Sequence, residues 1–261
     1  MIYIGKRKLG TFFQRIIKVE NYFAFINFFR VHRNPIKSFL KEIFSFGNYP
    51  LKLFFNTPIG VKFATIYSAD DFSTFNLIFC RKDYLISDRD RVILDIGSNI
   101  GLSSLYWLTR NNENIVYCYE PASQNFNRLK RNLKEFKSRV FLKKEAVSNR
   151  NFESFLKIEE TGVYNSLTLK TKKNRNGKFE KCKVRDINSC IKKIILKHKK
   201  IDMIKVDNEG EESKTISSIN KKYWKYINCI NIDGKIVSKY IPKNFKLTKW
   251  GSAQRYTSYE K

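Results

Sequence analysis

Val92-Ile-Leu-Asp95-Ile-Gly97-Ser-Asn99-Ile-Gly101 is the stretch on which the fold turns. An apolar run ends in a carboxylate at Asp95 and reads as a short strand. A turn with two glycines follows, and residues 102–110 read as a helix. Glycine at 97 and 101 lets the backbone turn tightly and approach a ligand closely. A ligand held by such a turn lies at the carboxyl end of the strands, at the topological switch point. The turn is not G-x-G-x-x-G, because Asn99 stands where a dinucleotide site needs glycine. It is not a P-loop either, because no G-K-[ST] follows. A carboxylate at the strand end suits a cationic ligand better than a phosphate.

Outward from this turn, strands alternate with helices. Residues 115–119 form a second strand, ending at Glu120-Pro121. A helix is expected over 123–136, a third strand within 140–147, a fourth at 201–206 closed by Asp207, and a fifth at 226–232. This alternation predicts an α/β fold: a mostly parallel sheet with helices on both faces. Residues 152–184 break the rhythm and read as a hairpin with a lysine-rich tip, and 245–259 as a final antiparallel strand. Upstream, residues 9–30 read as a helix rich in Phe and Ile. It packs on the catalytic core, lies in a membrane interface or binds a partner. Strands are expected at 54–67 and 74–79, around Asp70-Asp71. The domain reading is an N-terminal helical and β extension over 1–90 and a catalytic domain over 91–261.

Composition narrows the class. The chain has 261 residues, of which 42% are hydrophobic, enough for a real core, so wholesale disorder is not expected. The longest charge-free run, 96–109, falls short of the roughly 20 apolar residues a membrane span needs. No secretory signal follows the basic start. Five scattered cysteines without a C-x-x-C pair fit a reducing cytosol, so the protein is read as cytoplasmic, with a peripheral membrane location as the variant of that reading. A net charge of +27 leaves two readings open. It attracts an anionic partner, such as a membrane surface, an acidic substrate or RNA, or it is a solvated basic face.

Glu120 follows Gly101 by about 20 residues, at the end of the next strand, where a carboxylate accepts hydrogen bonds from both hydroxyls of a ribose. The pattern D-x-G-x-N-x-G is that of Rossmann-like enzymes using S-adenosylmethionine, whose sulfonium and ammonium are positive. The alternative is a βα turn with no ligand.

With these residues in place, the sequence resembles the FkbM family of S-adenosylmethionine-dependent methyltransferases. The resemblance rests on residues 92–101, on Tyr119-Glu-Pro121 with Asn125 and Leu129, on Glu145-Ala-Val-Ser-Asn149, and on Ile201-Asp-Met-Ile-Lys-Val-Asp-Asn-Glu-Gly210. It implies a class I methyltransferase fold with a seven-stranded sheet. It implies transfer of a methyl group to oxygen, commonly a hydroxyl of a sugar, glycan or glycolipid, and hence a role such as polysaccharide biosynthesis. Asp95, Gly97, Asn99 and Gly101 would line the methionine end of S-adenosyl-L-methionine, Glu120 its ribose, and Glu145 and Ala146 its adenine. Two departures stand out. Glu211 occupies a position that is usually small, and where the family often has an acidic residue and a histidine late in the next strand, this strand reads Asn231-Ile-Asp-Gly-Lys235.

Methyl transfer is an in-line displacement, for which the acceptor oxygen must sit about 3–3.5 Å from the methyl carbon. Lys205, Asp207 and Glu209 are spaced by two and would point to one side of an extended strand. Asp207 is the first choice for general base and Glu209 the second, with Lys205 holding Asp207 or polarising the acceptor. The competing readings are a structural ion pair, carboxylates at a helix N-terminus, and a divalent cation on Asp207 and Asn208. That cation has no identifiable third ligand, so no metal site is assigned. The expected partner is a small-molecule or glycan acceptor, and nucleic acid is not expected. The alternatives are an RNA-directed methyltransferase and a catalytically inactive binding protein of the same fold.

Overall fold

A computed structural model gives the fold and describes residues 3–4, 7–8, 19–44, 48–158, 166–168, 178–208, 210–233, 238–251 and 253–259. The chain forms two units, Met1–Leu85 and Ile86–Lys261.

In the first unit, β1 (Tyr3–Ile4) and β2 (Arg7–Lys8) form an antiparallel pair. Helices α1 (Val19–Val31) and α2 (Pro35–Phe44) follow, then a hairpin of β3 (Leu51–Thr57) and β4 (Gly60–Ile66), and helix α3 (Ala69–Phe79). Of the helix expected over 9–30, residues 9–18 lie outside the described residues. The strand expected at 74–79 is a correction: these residues belong to α3. Ser68 caps that helix, its hydroxyl accepting from the Asp71 amide at 3.0 Å, while the Asp71 carboxylate accepts from the Tyr67 amide at 2.9 Å. This reciprocal capping, with Phe72, Phe75 and Phe79 recurring at helical spacing, outweighs the β propensity of the aromatic run. Phe75 stacks on Phe79 at 4.3 Å, and Phe55 meets both edge-on. Buried beside them, His32 is pushed down to about 4 by burial, so its neutral ring donates from Nε2 to Asn76 Oδ1 at 2.7 Å. Ser68→Ala is expected to remove about 1 kcal/mol from the stability of this unit. Urea denaturation followed by helical circular dichroism checks it.

The second unit is built on β5 (Val92–Ile96), α4 (Leu102–Leu108), β6 (Ile115–Tyr119), α5 (Ser123–Asn132), β7 (Val140–Lys143), β8 (Ala146–Ser148), β9 (Phe152–Ile158), β10 (Ser166–Thr168), β11 (Lys178–Asp186), α6 (Ile187–His198), β12 (Ile201–Val206), α7 (Glu212–Ser217), β13 (Ile227–Asp233), β14 (Phe245–Trp250) and β15 (Ala253–Ser258). The main sheet runs β14-β15-β13-β12-β5-β6-β7. Only β15 opposes the direction of the other six. Where one tail strand was expected, two are present. The single strand expected within 140–147 is divided between β7 of the main sheet and β8 of a second sheet, ordered β10-β9-β11-β8. In that second sheet β9 and β11 pair antiparallel as the expected hairpin would, with Phe152 opposite Val184, but β10 intervenes in sequence and pairs with the other edge of β9, so the segment is not a single hairpin. Its lysine-rich tip, 169–177, lies outside the described residues.

The faces of the main sheet divide its residues by parity. Leu94, Ile96, Tyr119, Ile204 and Val206 join a buried cluster with Ile187, Ile191 and Ile194 of α6 and Ile216 of α7. Asp95, Cys118 and Lys205 turn to the opposite face, where α4 packs. That parity sets the polar chemistry of the molecule on one face, beneath the strand ends.

Candidate functional site

Register builds the site. Asp95 of β5 lies opposite Cys118 of β6 on one side and Lys205 of β12 on the other. Lys205 in turn lies opposite Asn231 of β13. One row across the sheet is therefore polar and buried, and its charges must be paired internally.

Asp95 is fully buried. Its Oδ2 accepts from the Ser103 and Ser104 hydroxyls of α4 at 2.7 and 2.6 Å, and its Oδ1 stands 3.4 Å from Lys205 Nζ. The Lys205 ammonium donates to the Gly97 carbonyl at 2.8 Å and pairs with Asp207 Oδ2 at 3.1 Å. Burial works against that ammonium, yet Asp207 and Asp95 outweigh it and hold Lys205 above the ordinary lysine value. Asp207 lies just past β12, with its amide donating to the Ile96 carbonyl at 3.1 Å. Its side chain is one-third exposed, so one carboxylate of the cluster is reachable from outside. Two carboxylates around one ammonium leave the cluster net negative.

The loop from Gly97 to Gly101 is shaped by positive backbone angles: φ is +76° at Gly97, +48° at Asn99 and +90° at Gly101. What the two glycines make room for is the protein itself. A Cβ on Gly97 would stand 1.8 Å from the Asp207 carbonyl oxygen, and one on Gly101 would stand 2.7 Å from Leu129 Cδ1. The glycines thus bring β5 against the end of β12, and the start of α4 against α5.

Glu120 ends β6 beneath this loop. Its Oε2 accepts from the Asn99 amide at 2.8 Å and its Oε1 from the Ala122 amide at 2.9 Å. Burial pushes its carboxyl up to about 7, against the pull of the two amides and of Lys205. Glu145, ahead of β8, is held by Arg185 of β11 at 2.6 Å. Hydrogen bonding to that guanidinium keeps the Glu145 carboxyl below the usual carboxylate range. Ala146 is buried in the second sheet. Glu209 lies outside the described residues. Asn208 is a structural clamp: its Nδ2 donates to the Val147 carbonyl at 3.0 Å and to Thr215 Oγ1 at 2.9 Å. Glu212 accepts from the amides of Asn208 and Gly210.

Sequence reasoning brought Asp95, Gly97, Asn99, Gly101, Glu120, Lys205 and Asp207 forward, and the fold brings them together. It missed Ser103 and Ser104, whose only signal is their place in the first turn of the helix after the loop. It also missed Arg185, which lies 40 residues from Glu145. Among the described residues no three His, Cys, Asp or Glu side chains form a group that could hold a metal ion, and no helix is long and apolar enough to cross a membrane.

Residues 95–236 match the sequence profile of the Methyltransferase FkbM domain. The chain belongs to the FkbM methyltransferase family. No curated protein matches it in sequence. Among solved structures, the methyltransferase FkbM of Methylobacillus flagellatus KT is similar, with 13% identity and a TM-score of 0.49. That similarity covers 70% of this chain and 47% of that one, so the FkbM-family chain spans about half the length of that relative. The M. capricolum TrmK structure, solved with S-adenosyl-homocysteine, is 14% identical with a TM-score of 0.36, covering 71% of this chain and 68% of that one.

Glu211 has a structural role. Its Oε2 accepts from the Ser148 hydroxyl at 2.8 Å and pairs with Lys214 at 3.0 Å, tying the loop after β12 to β8. Asn231 is fully buried, its Nδ2 3.4 Å from Met203 Sδ. Residues 234–237 lie outside the described residues.

Proposed function

We propose that the chain transfers the methyl group of S-adenosyl-L-methionine to a hydroxyl oxygen, on a sugar, glycan or glycolipid. The observation that carries this reading is the Glu120 carboxylate. It is buried at the end of the second strand and accepts one amide on each oxygen. A carboxylate offers about four acceptor positions, so each oxygen retains one for a ribose hydroxyl. The other end of the site fits as well. The Asp95–Lys205–Asp207 cluster carries a net negative charge, and its Asp207 carboxylate is one-third exposed. That suits a cationic cofactor.

When bound, the cofactor supplies the methyl group and a sulfonium leaving group. The chain's own residues do the rest. Glu120, oriented by the Asn99 and Ala122 amides, would hold the ribose, while Ala146 and the Glu145 backbone would border the adenine. Asp95 and Lys205 act through position: with no outward contact, they fix the Gly97 carbonyl and the Asp207 carboxylate. Asp207, reachable and oriented by Lys205, takes the acceptor's proton at its carboxylate. Glu209, three residues before Glu212, is the second candidate for that role.

The test is calorimetric titration of S-adenosylhomocysteine into the purified chain, with NAD as control. We expect binding to the wild type and at least a hundredfold loss in Glu120→Ala. The ribose needs the ionised carboxylate. Affinity in the wild type is therefore expected to fall as pH drops through about 7, by up to tenfold per unit. In Glu120→Ala the profile should be flat over that window. Absence of binding in a folded wild-type sample would overturn the cofactor reading. Methyl incorporation into RNA, with none into glycans, would overturn the acceptor.

A further inference from the structure

The first unit presents an apolar surface. On α1, Tyr22 (65% exposed), Phe25 (51%) and Phe29 recur at three and four residues, the spacing of one helix face. On α2, Ile36 (73% exposed), Phe39 and Leu40 do the same. The rings of Phe25 and Phe39 meet edge-on at 6.1 Å, so the two faces join into one patch. Single exposed apolar side chains need no explanation, but a contiguous aromatic patch does.

Charge says what the patch meets. The exposed charged residues of the two helices and their connection are Arg30, Arg33 and Lys37, all basic. The acidic residues described there, Glu20 and Glu42, are half-buried, and Glu42 is turned inward to Ser73 and Asn76. At 13 and 10 described residues, neither helix is long enough, as described, to span a bilayer. Aromatic and aliphatic side chains among cations, on short helices, are the composition of a helix that lies in the plane of a lipid interface. We propose that the α1–α2 face docks this protein on an anionic lipid bilayer, with Tyr22, Phe25, Phe29, Ile36 and Leu40 entering the headgroup boundary and Arg33 and Lys37 meeting lipid phosphates. This inference is independent of the reaction proposed above.

Flotation of the full chain with vesicles tests it, comparing neutral phosphatidylcholine with the same lipid containing anionic phosphatidylglycerol. We expect binding to the anionic vesicles. It should weaken roughly tenfold in Tyr22→Ser/Ile36→Ser, since each side chain contributes on the order of its buried apolar area. A comparable loss is expected in Arg33→Glu/Lys37→Glu. Both pairs are highly exposed, and S-adenosylhomocysteine titration of each variant serves as the control, expected unchanged. Three results would overturn the proposal: no flotation of the wild type, anionic-vesicle binding unaffected by Tyr22→Ser/Ile36→Ser (diffuse charge alone), or a solution dimer that this variant dissociates, which would make a second copy the occupant.

Discussion

Gly97→Ala is expected to cost the second unit about 2–5 kcal/mol of stability, from a left-handed backbone penalty of about 1–2 kcal/mol and an overpacking cost of about 1–3 kcal/mol. The collision is with backbone. The new methyl would stand 1.8 Å from the Asp207 carbonyl oxygen and 2.8 Å from its carbonyl carbon, so no rotamer change relieves it. Asp207 is itself fixed, because its amide donates to Ile96 and β12 is paired with β5 from Met203 to Val206. Relief requires the end of β12 to move off β5, which breaks the Lys205–Gly97 hydrogen bond as well. Gly210→Ala provides the comparison. Its φ is +103°, but nothing stands within 4 Å of the added carbon, so only the backbone penalty of about 1–2 kcal/mol applies. Urea denaturation of the two variants should differ by the overpacking cost, about 1–3 kcal/mol. Equal losses would show that the Asp207 carbonyl yields, and that Gly97 serves its backbone angle alone.

Much of this fold was legible because the central strands are buried on both faces and so read as mostly apolar runs, broken only at Asp95, Asp202 and Lys205. Residues 115–119 and 201–206 were read with the bounds the structure gives them. The aromatic run at 74–79 misled, because burial rather than backbone preference had placed its phenylalanines, and the capping that makes it a helix lies upstream at Ser68 and Asp71. The site was legible where a residue acts within its own turn, as Asn99 does with its left-handed backbone between Gly97 and Gly101. Partners distant in sequence were not. Nothing near Gly97 announces that Asp207 fills the space its side chain would take, and nothing near Glu145 announces Arg185. Parity explains the third gap. A polar row through Asp95, Lys205 and Asn231 appears only once the strands are in register.

Lys205→Met is expected to be among the most damaging substitutions in the second unit, at about 3–5 kcal/mol near pH 8, because it removes the cation from a buried pair and leaves the anion behind. Methionine fills much the same volume, so the loss is electrostatic rather than a cavity. Asp95 would retain the Ser103 and Ser104 hydroxyls but no counter-charge, in a site with no exposure. The protonated carboxyl then becomes the stable form in the folded state, while the unfolded chain ionises at the ordinary value. The sign follows from linkage. A group favoured as the acid in the folded state takes up protons on folding, so the variant loses further stability as pH rises from about 4. Its deficit against the wild type should therefore be smaller at pH 5 than at pH 8. In the wild type the pair is kept across this window, since the Lys205 ammonium is raised and its contribution is lost only as pH rises through that raised value. Adding Asp95→Asn to Lys205→Met removes the stranded charge and should restore at least half of the loss at pH 8. A deficit independent of pH, with no recovery in the double variant, would mean that the ion pair contributes nothing and that Lys205 acts only through its hydrogen bond to Gly97. Recovery would place the stabilising charge on the Asp95–Lys205 pair, leaving the Asp207 carboxylate, the reachable one, free to exchange a proton without unfolding the site.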